Sequence, residues 1–374
     1  MESLTGKNIL VIHDGNKGHL KQSMALIGII KRQAEAQGGI PDSIAVQVVE
    51  AKFKNWSLKA FIKVFNPYLS PRHPFQKLLL PPCMVPESLQ EIMAQTPDVI
   101  VSCGAAGSGV STLLKKKTGA KNIVILNPGF ITRDDFDLAI VPHHDVWQWM
   151  PFKSNVVTTD LALNPVTPEG LAHLNTGGPS AYVPAGSMAV GLLVGGNNRS
   201  FRFTGTVTDA LAREVARLCK ELKAQLYCTT SRRTPRNVDA ALEHAFEGQP
   251  FCRIFVRGRE DRNSATVEKI LACSNLIIVS GESISMVSEA VSSGKPVVVF
   301  MPQKVLPVYT KYERFIRNLV SKGFVTKVDV EKIGNIAADS LIQSRENPSA
   351  DDARRILAQC WPLFTRRSEL KHDR

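Results

Sequence analysis

A polar loop at residues 280–290, SGESISMVSEA, carries side chains suited to binding a nucleotide. The loop opens a predicted helix, so hydroxyls and backbone N–H groups at Ser283 and Ser285 stand where anions bind. Glu289 lies one turn further along, and its carboxylate can accept both hydroxyls of a ribose. A solvated helix residue is the plainer alternative for Glu289. The predicted nucleotide contacts are Glu282, Ser283, Ser285, Met286 and Glu289.

Two earlier loops of the same half carry phosphate-type chemistry. A glycine pair and an asparagine follow the predicted strand Ala189–Val194, and glycines let a backbone approach a diphosphate closely. A serine and two adjacent arginines follow the next strand, an arrangement that favours phosphate. A solvated turn is the alternative for the arginines. The predicted donor contacts here are Gly195, Gly196, Asn197, Ser231, Arg232 and Arg233.

The first loop of the chain, HDGNKGH at residues 13–19, carries acid–base chemistry. His19 is the candidate catalytic base because imidazole titrates near neutral pH, and Asp14 is the second choice. A glycine-rich turn with a capping histidine is the alternative. The loop lacks the GxGxxG fingerprint, so no dinucleotide cofactor is expected. Residues predicted to face the acceptor here are Gly15, Lys17, Gly18 and Gln22.

Two further loops follow predicted strands of the first half. The small-residue loop at 102–109 contains Gly104, and HHD at 143–145 contains His144 and Asp145. We predict that these three residues line the acceptor side, although close helix–strand packing also explains the small residues. The DxD pattern at 135–137 leads directly into a strand, so we predict an exposed turn there and no metal site.

Composition fits an ordinary protein of two domains. The chain has 374 residues, 44% hydrophobic and 21% charged, with a net charge of +12. The half after Met188 carries 29 basic and 20 acidic residues, so it is the more basic half. That excess suits an anionic ligand or surface, and a basic surface that only aids solubility is equally consistent with it.

The termini and cysteines point to the cytosol. The first strand pattern begins at Asn8, which leaves no room for a signal peptide. The seven cysteines are scattered and contain no CxxC pair, so we expect reduced thiols. Aromatic and basic residues do not interleave as they do in nucleic-acid modules, so no nucleic-acid partner is expected.

Short β-branched runs alternate with helical patterns along most of the chain, which predicts two Rossmann-like domains with parallel sheets facing an interdomain cleft. The interval 164–188 loses this periodicity and is rich in proline and glycine, so it is interpreted as a linker. The predicted organisation is an N-terminal acceptor domain at 1–163, the linker at 164–188, a donor domain at 189–345 and a helical tail at 346–374.

A basic and aromatic stretch covers residues 52–77 of the first half. It contains Lys52, Lys54, Lys59, Lys63, Arg72 and Lys77. Leu58, Phe61, Ile62 and Phe65 recur at helical spacing, with Trp56, Tyr68 and Phe75 nearby. The pattern is typical of an anchor on an anionic membrane surface. A helix packed on the core with lysines facing water explains it equally well.

The segment from Ser283 to Val297 resembles the donor-nucleotide motif of GT-B enzymes. These include the transferase that adds N-acetylglucosamine to lipid-linked peptidoglycan precursors, and the non-hydrolysing UDP-N-acetylglucosamine 2-epimerases. The resemblance implies that Glu289 holds the ribose and that the small residues before it meet the diphosphate. Ile284 and Ser285 stand where the epimerases carry glycines.

A closer resemblance covers nearly the whole chain. Its motifs are DG at 14–15, GH at 18–19, QS at 22–23, Pro142 with HD at 144–145, GG at 195–196, TSRRTP at 230–235 and SISMVSEA at 283–290. Together they resemble the ELM-type mitochondrial fission family, whose bacterial members are described as GT-B glycosyltransferases. His143 stands where that family is expected to carry an acidic residue.

The resemblance implies a GT-B-like α/β fold and a metal-independent glycosyltransferase. Its donor would be a nucleoside-diphosphate sugar, with no further cofactor, and its acceptor a cell-envelope glycan or a lipid-linked molecule. A nucleotide-sugar epimerase of the same fold and a non-catalytic binding or scaffold protein are the alternatives. The expected location is the cytoplasm, with peripheral attachment to the inner face of the membrane if the basic stretch is an anchor.

Overall fold

The structure, a computed structural model, divides the chain into two compact units. It describes residues 6–38, 44–65, 76–129, 133–146, 154–176, 188–261, 265–336 and 347–365. The first unit is formed by Met1–Pro165 together with Ala350–Arg374, and the second by Val166–Ser349. Each unit is built on a parallel six-stranded sheet.

The first unit has the strand order β2-β1-β3-β4-β5-β6, with all neighbours parallel. Its strands are β1 (Asn8–His13), β2 (Ala45–Glu50), β3 (Val99–Cys103), β4 (Lys121–Ile125), β5 (Leu138–Pro142) and β6 (Val156–Thr159). Its helices are α1 (Lys17–Ala36), α2 (Trp56–Val64), α3 (Gln76–Cys83), α4 (Pro86–Met93), α5 (Gly104–Thr118) and α12 (Pro348–Thr365). The order reverses between β1 and β3, which is where doubly wound sheets bind ligands.

The inner strands β1, β3, β4 and β5 of the first unit are buried on both faces along most of their length, which explains why they are nearly continuous apolar runs. Ile9 and Val11 of β1 belong to a core shared with α1 and α12. Leu10 and Ile12 point to the opposite face and belong to a second core, which includes Ile62 of α2. Period-two alternation along one strand therefore supplies both cores.

Helix α12 closes the first unit from the C-terminal end of the chain. Ile356 and Phe364 are buried in the core that contains α1. The Asp352 carboxylate accepts the backbone N–H groups of Asp160 and Leu161, each at 3.0 Å. Residues 346–374 were predicted to form a helical tail, and the described part of them packs into the core of the first unit as helix α12.

The second unit has the strand order β10-β9-β7-β11-β12-β14. Its strands are β7 (Ala189–Val194), β8 (Phe201–Arg202), β9 (Gln225–Thr230), β10 (Cys252–Val256), β11 (Leu276–Ser280), β12 (Val297–Phe300), β13 (Gln303–Lys304) and β14 (Thr326–Lys327). Its helices are α6 (Pro168–Thr176), α7 (Gly205–Glu221), α8 (Arg236–Phe246), α9 (Thr266–Cys273), α10 (Ile284–Ser292) and α11 (Lys311–Ser321). This is the 3-2-1-4-5-6 order of dinucleotide-binding sheets, with the reversal between β7 and β11.

Two local features differ from the sequence expectations. The interval interpreted as a linker contains helix α6, which begins with Pro168 and buries Leu171; residues 177–187 of that interval lie outside the described residues. The two-residue strand β14 was not predicted, because so short a segment has no readable alternation. Among the residues that the structure describes, no helix combines the length and apolar character needed to cross a bilayer.

Candidate functional site

The glycine pair of the second unit follows β7, at the point where the strand order reverses. Gly195 and Gly196 are both buried. A Cβ atom on Gly196 would lie 2.2 Å from the carbonyl carbon of Arg233, so only glycine permits this approach of two backbones. The loop after β7 is therefore packed directly on the loop after β9.

The loop after β9 is held by its own hydroxyl groups. The Thr234 hydroxyl donates to the carbonyl of Gly195 at 2.5 Å, and Thr234 Oγ1 accepts the Ser231 amide at 2.8 Å. Ser231 Oγ in turn accepts the Arg233 amide at 3.2 Å. The side chains of Arg232 and Arg233 are exposed on this fixed turn. The turn that carries both arginines therefore lies against the glycine pair, and adjacent arginines are side chains that favour phosphate.

The loop after β11 is the third loop at this edge of the sheet. Ser280 Oγ accepts the Gly195 amide at 2.7 Å, which ties β11 to the glycine pair. Glu282 is fully buried, and burial raises its pKa to about 7. Asn198 donates to the carbonyl of Glu282 at 3.3 Å. The Asn197 amide oxygen accepts the Phe203 amide at 2.8 Å, so this predicted contact stabilises its own loop.

Helix α10 starts from the same loop. Ser283 occupies its N-cap position and is 7% exposed, whereas Ser285 is exposed. Met286 and Glu289 are buried, so Glu289 is not the solvated helix residue of the plainer hypothesis. Ser285, Arg232 and Arg233 are therefore exposed polar residues that an incoming ligand can reach at this edge of the sheet.

The candidate base of the first unit is held by a buried carboxylate. Asp14 follows β1, and its side chain is 1% exposed. Asp14 Oδ1 lies 2.9 Å from His19 Nδ1, and Oδ2 lies 3.1 Å from Lys59 Nζ of α2. Lys59 Nζ also donates to the Asp14 carbonyl. This arrangement orients the imidazole through Nδ1 and leaves Nε2 as the second ring nitrogen for proton transfer.

Two opposing influences set the charge of Asp14. Burial favours its neutral form, but the hydrogen bond and charge of His19 and those of Lys59 outweigh it. The pKa of Asp14 is therefore held well below its usual value. Because the folded pKa is depressed, this carboxylate stays charged throughout the neutral range. It becomes protonated, and so loses its attraction to His19 and Lys59, only in acid. Asp14 is consequently suited to positioning His19.

Gly104 packs against the imidazole of His19. It follows β3, the strand beside β1, and has a φ of 73°. A Cβ atom at this position would lie 2.8 Å from His19 Cε1, so any side chain would displace the ring. The structure therefore brings together three of the predicted residues, Asp14, His19 and Gly104, at the reversal point of the first sheet.

The remaining predicted residues of the first unit differ in how exposed they are. Gly15 is exposed in the β1–α1 loop, and Lys17 and Gly18 are exposed in the first turn of α1, where the Gly18 N–H donates to the Asn16 side chain at 2.9 Å. Gln22 is half-buried on α1. His144 is buried in a short 3-10 helix after β5, and its Nε2 lies 3.8 Å from Asp145 Oδ2. His144 therefore does not present its ring to solvent.

The turn at 135–137 is not the exposed turn that the sequence suggested. Asp135 is buried, and the Asp137 side chain is 16% exposed. Asp137 accepts Lys115 Nζ at 2.7 Å and lies 3.3 Å from Lys121 Nζ. Burial opposes ionisation, but the Lys115 hydrogen bond lowers the pKa of Asp137 below its usual value. The DxD pattern here joins β5 to α5 and β4, a structural role.

Two members of these sites were missed from the sequence. Lys59 lies 45 positions from its partner Asp14, so no local pattern connects them. Thr234 carried a readable signal, because a hydroxyl residue three positions after Ser231 is typical of a side-chain turn. Both act by fixing residues that were predicted.

Comparison with known proteins gives a family and a fold. The model of the family described as mitochondrial fission ELM1 matches residues 17–359. An uncharacterized protein of Rickettsia prowazekii is 25% identical over 292 residues, which cover 70% of this chain and 77% of that protein.

Solved structures show the same architecture. UDP-GlcNAc 2-epimerase from Methanocaldococcus jannaschii matches with a TM-score of 0.56 at 12% identity, over 94% of this chain and 98% of that chain. UDP-GlcNAc 2-epimerase from Neisseria meningitidis, solved with UDP-GlcNAc, matches with a TM-score of 0.52 at 13% identity, over 95% and 99%. At sequence identities this low, the similarity shows a shared fold and nothing more. The predicted GT-B-like α/β class is thereby confirmed.

Proposed function

The chain belongs to the mitochondrial fission ELM1 family, and from this premise we propose that it is a glycosyltransferase using a nucleoside-diphosphate sugar. The observation that carries the proposal is the packing of Gly196 on Arg233 at the reversal point of the second sheet. A backbone pair without side chains, flanked by two exposed arginines, matches the size and charge of a diphosphate.

The proposed chemistry needs no resident metal. Arg232 and Arg233, with the N-terminus of α10, would stabilise the negative charge that develops on the leaving nucleoside diphosphate. Glu289 is proposed to accept the ribose hydroxyls, as the family resemblance implies. Ser231, Ser283, Ser285 and Met286 are proposed as further donor contacts. Glu282 is too deeply buried to touch the ligand itself.

His19 is proposed as the base that deprotonates the acceptor hydroxyl. Its Nδ1 faces the charged Asp14, so the imidazole is held in one orientation and the developing imidazolium is stabilised. The exposed residues Gly15, Lys17 and Gly18, near His19 in sequence, are proposed to meet the acceptor. Asp14, which was the second choice as base, is proposed instead as the partner that orients His19.

A nucleotide-sugar epimerase is the second candidate. It is favoured by the solved structures of this fold, since the Neisseria meningitidis protein that matches is an epimerase solved with UDP-GlcNAc. An epimerase converts its sugar without an acceptor, whereas a transferase releases the nucleoside diphosphate only when an acceptor is supplied. Incubation with the sugar nucleotide alone therefore separates the two.

A thermal-shift screen tests the donor site. The purified protein is heated with UDP, GDP, ADP, CMP and their sugar conjugates, and one nucleotide class is expected to raise the melting temperature. At about 100 times its Kd a ligand stabilises the folded state by about 2.7 kcal/mol, which is readily detected. Silence across the whole panel, also with vesicles present, would support the non-catalytic scaffold alternative.

Three apolar residues exposed at the two ends of α2, Trp56, Val64 and Phe65, are together called the α2 patch, and they support a membrane-linked acceptor. Trp56 is 81% exposed, and Val64 and Phe65 of the same segment are 64% and 40% exposed. The face of Leu58, Phe61 and Ile62 packs on the core instead, so the predicted anchor is narrower than the helical spacing suggested. Lys52, Lys54 and Lys63 are exposed around the patch. Arg72, Tyr68 and Phe75 lie outside the described residues.

Replacing Trp56 and Val64 together with alanine is expected to weaken binding to anionic vesicles about tenfold. The two side chains lose apolar area that they would bury at the lipid interface, and the basic residues remain. Co-sedimentation with vesicles of phosphatidylglycerol and phosphatidylcholine measures the effect. The matched control replaces Leu306 and Val308, which are 55% and 57% exposed in the second unit. An equal loss of vesicle binding in both variants would show that these α2 residues are not a specific membrane-binding surface.

A further inference from the structure

A buried acidic side chain lies beneath the glycine pair of the second unit. Glu282 is 0% exposed, and within the part of the chain that the structure describes neither carboxylate oxygen makes a hydrogen bond of normal geometry. A Cβ atom on Gly195 would lie 1.8 Å from Glu282 Oε1, so the carboxyl group occupies the space that a side chain at 195 would take. An ionised carboxylate in this position would lose its hydration, and its neighbours would compensate for only part of that loss.

The groups around Glu282 are nearly all uncharged. The loop after β7 contributes Gly195 and Gly196, and β11 contributes Ser280, whose hydroxyl oxygen accepts the Gly195 amide. The loop after β9 contributes Arg233, the charged group that faces this carboxyl within the part of the chain that the structure describes. Burial raises the pKa of Glu282 to about 7, although the Ser280 hydroxyl, the nearby backbone N–H groups of Glu282 and Gly196 and the charge of Arg233 act in the opposite direction.

We propose that Glu282 is a positioning residue that supports the glycine pair as a neutral acid, so that nucleotide binding is linked to the uptake of a proton. The inference rests on the proposed donor site, which it deepens. A diphosphate arriving above Gly195 and Gly196 brings negative charge towards the carboxyl group beneath them. That charge opposes ionisation of Glu282, so the ligand binds the neutral form more tightly.

The sign of the pH dependence follows from linkage. The pKa of Glu282 rises further when the nucleotide binds, so the complex holds more protons than the free protein near neutral pH. The affinity is therefore highest below the pKa of the free protein and falls as the pH rises through it. A difference of one pKa unit between the free and bound states corresponds to a change of up to tenfold in affinity.

Calorimetric titration with UDP, or with the diphosphate that the screen identifies, tests the proposal. Between about pH 6 and pH 8 the affinity of the wild-type protein is expected to fall about fivefold more than that of Glu282→Gln. Glutamine keeps the shape of the neutral acid and cannot ionise. The control is Glu214→Gln, a buried glutamate of α7 paired with Arg217 at 2.8 Å, which should titrate like the wild type. Equal pH dependence in the wild type and Glu282→Gln would overturn the proposal.

A second measurement needs no variant. At about pH 8 the phosphates of UDP are fully ionised, so proton uptake on binding comes from the protein. Calorimetry of the wild type in buffers with different ionisation enthalpies is expected to show uptake of a fraction of a proton, and no uptake would overturn the proposal. Failure of the whole nucleotide panel to bind would instead defeat the donor site itself, so the two failures are distinct.

The ligand-free protein gives an independent readout. Because the folded pKa is raised, Glu282 contributes stability that is present at about pH 4 and is lost as the pH rises towards 7. The melting temperature of the wild type should therefore fall relative to Glu282→Gln over this interval. A difference between the two proteins that stays constant from about pH 5 to pH 8 would show that Glu282 is not a neutral acid.

Discussion

Replacing His19 with alanine is expected to lower turnover about 10²–10⁴-fold, the range that removal of a positioned general base produces. The imidazole is half-buried and is held through Nδ1 at 2.9 Å from Asp14, so it is already oriented in the free protein. Binding of the donor should not change, because the proposed donor contacts lie in the second unit. Steady-state release of the nucleoside diphosphate, with the donor class named by the screen, measures the effect.

Two variants separate the chemistry of His19 from its structural contacts. Asp14→Asn keeps the shape of the side chain but removes the charge that orients the imidazole, so turnover should fall in the same direction. His143→Ala removes an exposed histidine of the same unit and should leave turnover unchanged. Full activity in His19→Ala, with the melting temperature retained, would exclude this residue as the base.

The inner strands of both sheets were predictable because burial on two faces leaves a signal in the sequence. The stretch LIIVS of β11 and the stretch AVGLLV of β7 are buried at every position. Such runs stay apolar whatever lies around them, and turn residues mark their ends. The loops that follow them could be assigned to one edge of the sheet for the same reason, since parallel strands end on the same side.

The parts that could not be predicted depend on contacts between distant residues. Nothing near Lys59 indicates that it pairs with Asp14 rather than facing a lipid surface. Glu282 was predicted to touch the nucleotide from its place in a polar loop, but the backbone path of that loop turns it inward beneath Gly195. Position along a sequence gives the loop that a residue occupies, whereas the direction of its side chain follows from packing.

Removing both Arg232 and Arg233 is expected to weaken binding of the nucleoside diphosphate about 100-fold. A charge-assisted hydrogen bond contributes about 1.5–3 kcal/mol, and the sum is reduced because both side chains are exposed to solvent. The folded state should be unaffected, because the turn is held by the Ser231 and Thr234 hydroxyls rather than by the guanidinium groups. Calorimetric titration of the double alanine variant measures the loss.

The control for this prediction removes the same charge elsewhere. Lys220 and Lys269 are exposed in the second unit, so their double alanine variant has the same net charge but an intact arginine turn. If its affinity falls as far as that of the arginine variant, the arginines act only through the overall positive charge of the unit.

The backbone contribution to the same site is tested by Gly196→Ala. A Cβ atom 2.2 Å from the carbonyl carbon of Arg233 must push the two loops apart, which moves both arginines away from the diphosphate. Gly205→Ala is the matched control, because no atom of the described residues lies within 4 Å of a Cβ atom at that position. If the arginine and Gly196 variants lose binding and both controls keep it, the arginine charges and the close approach of the two loops belong to the same binding site. Retained affinity in the arginine variant would mean that the nucleotide binds elsewhere or not at all.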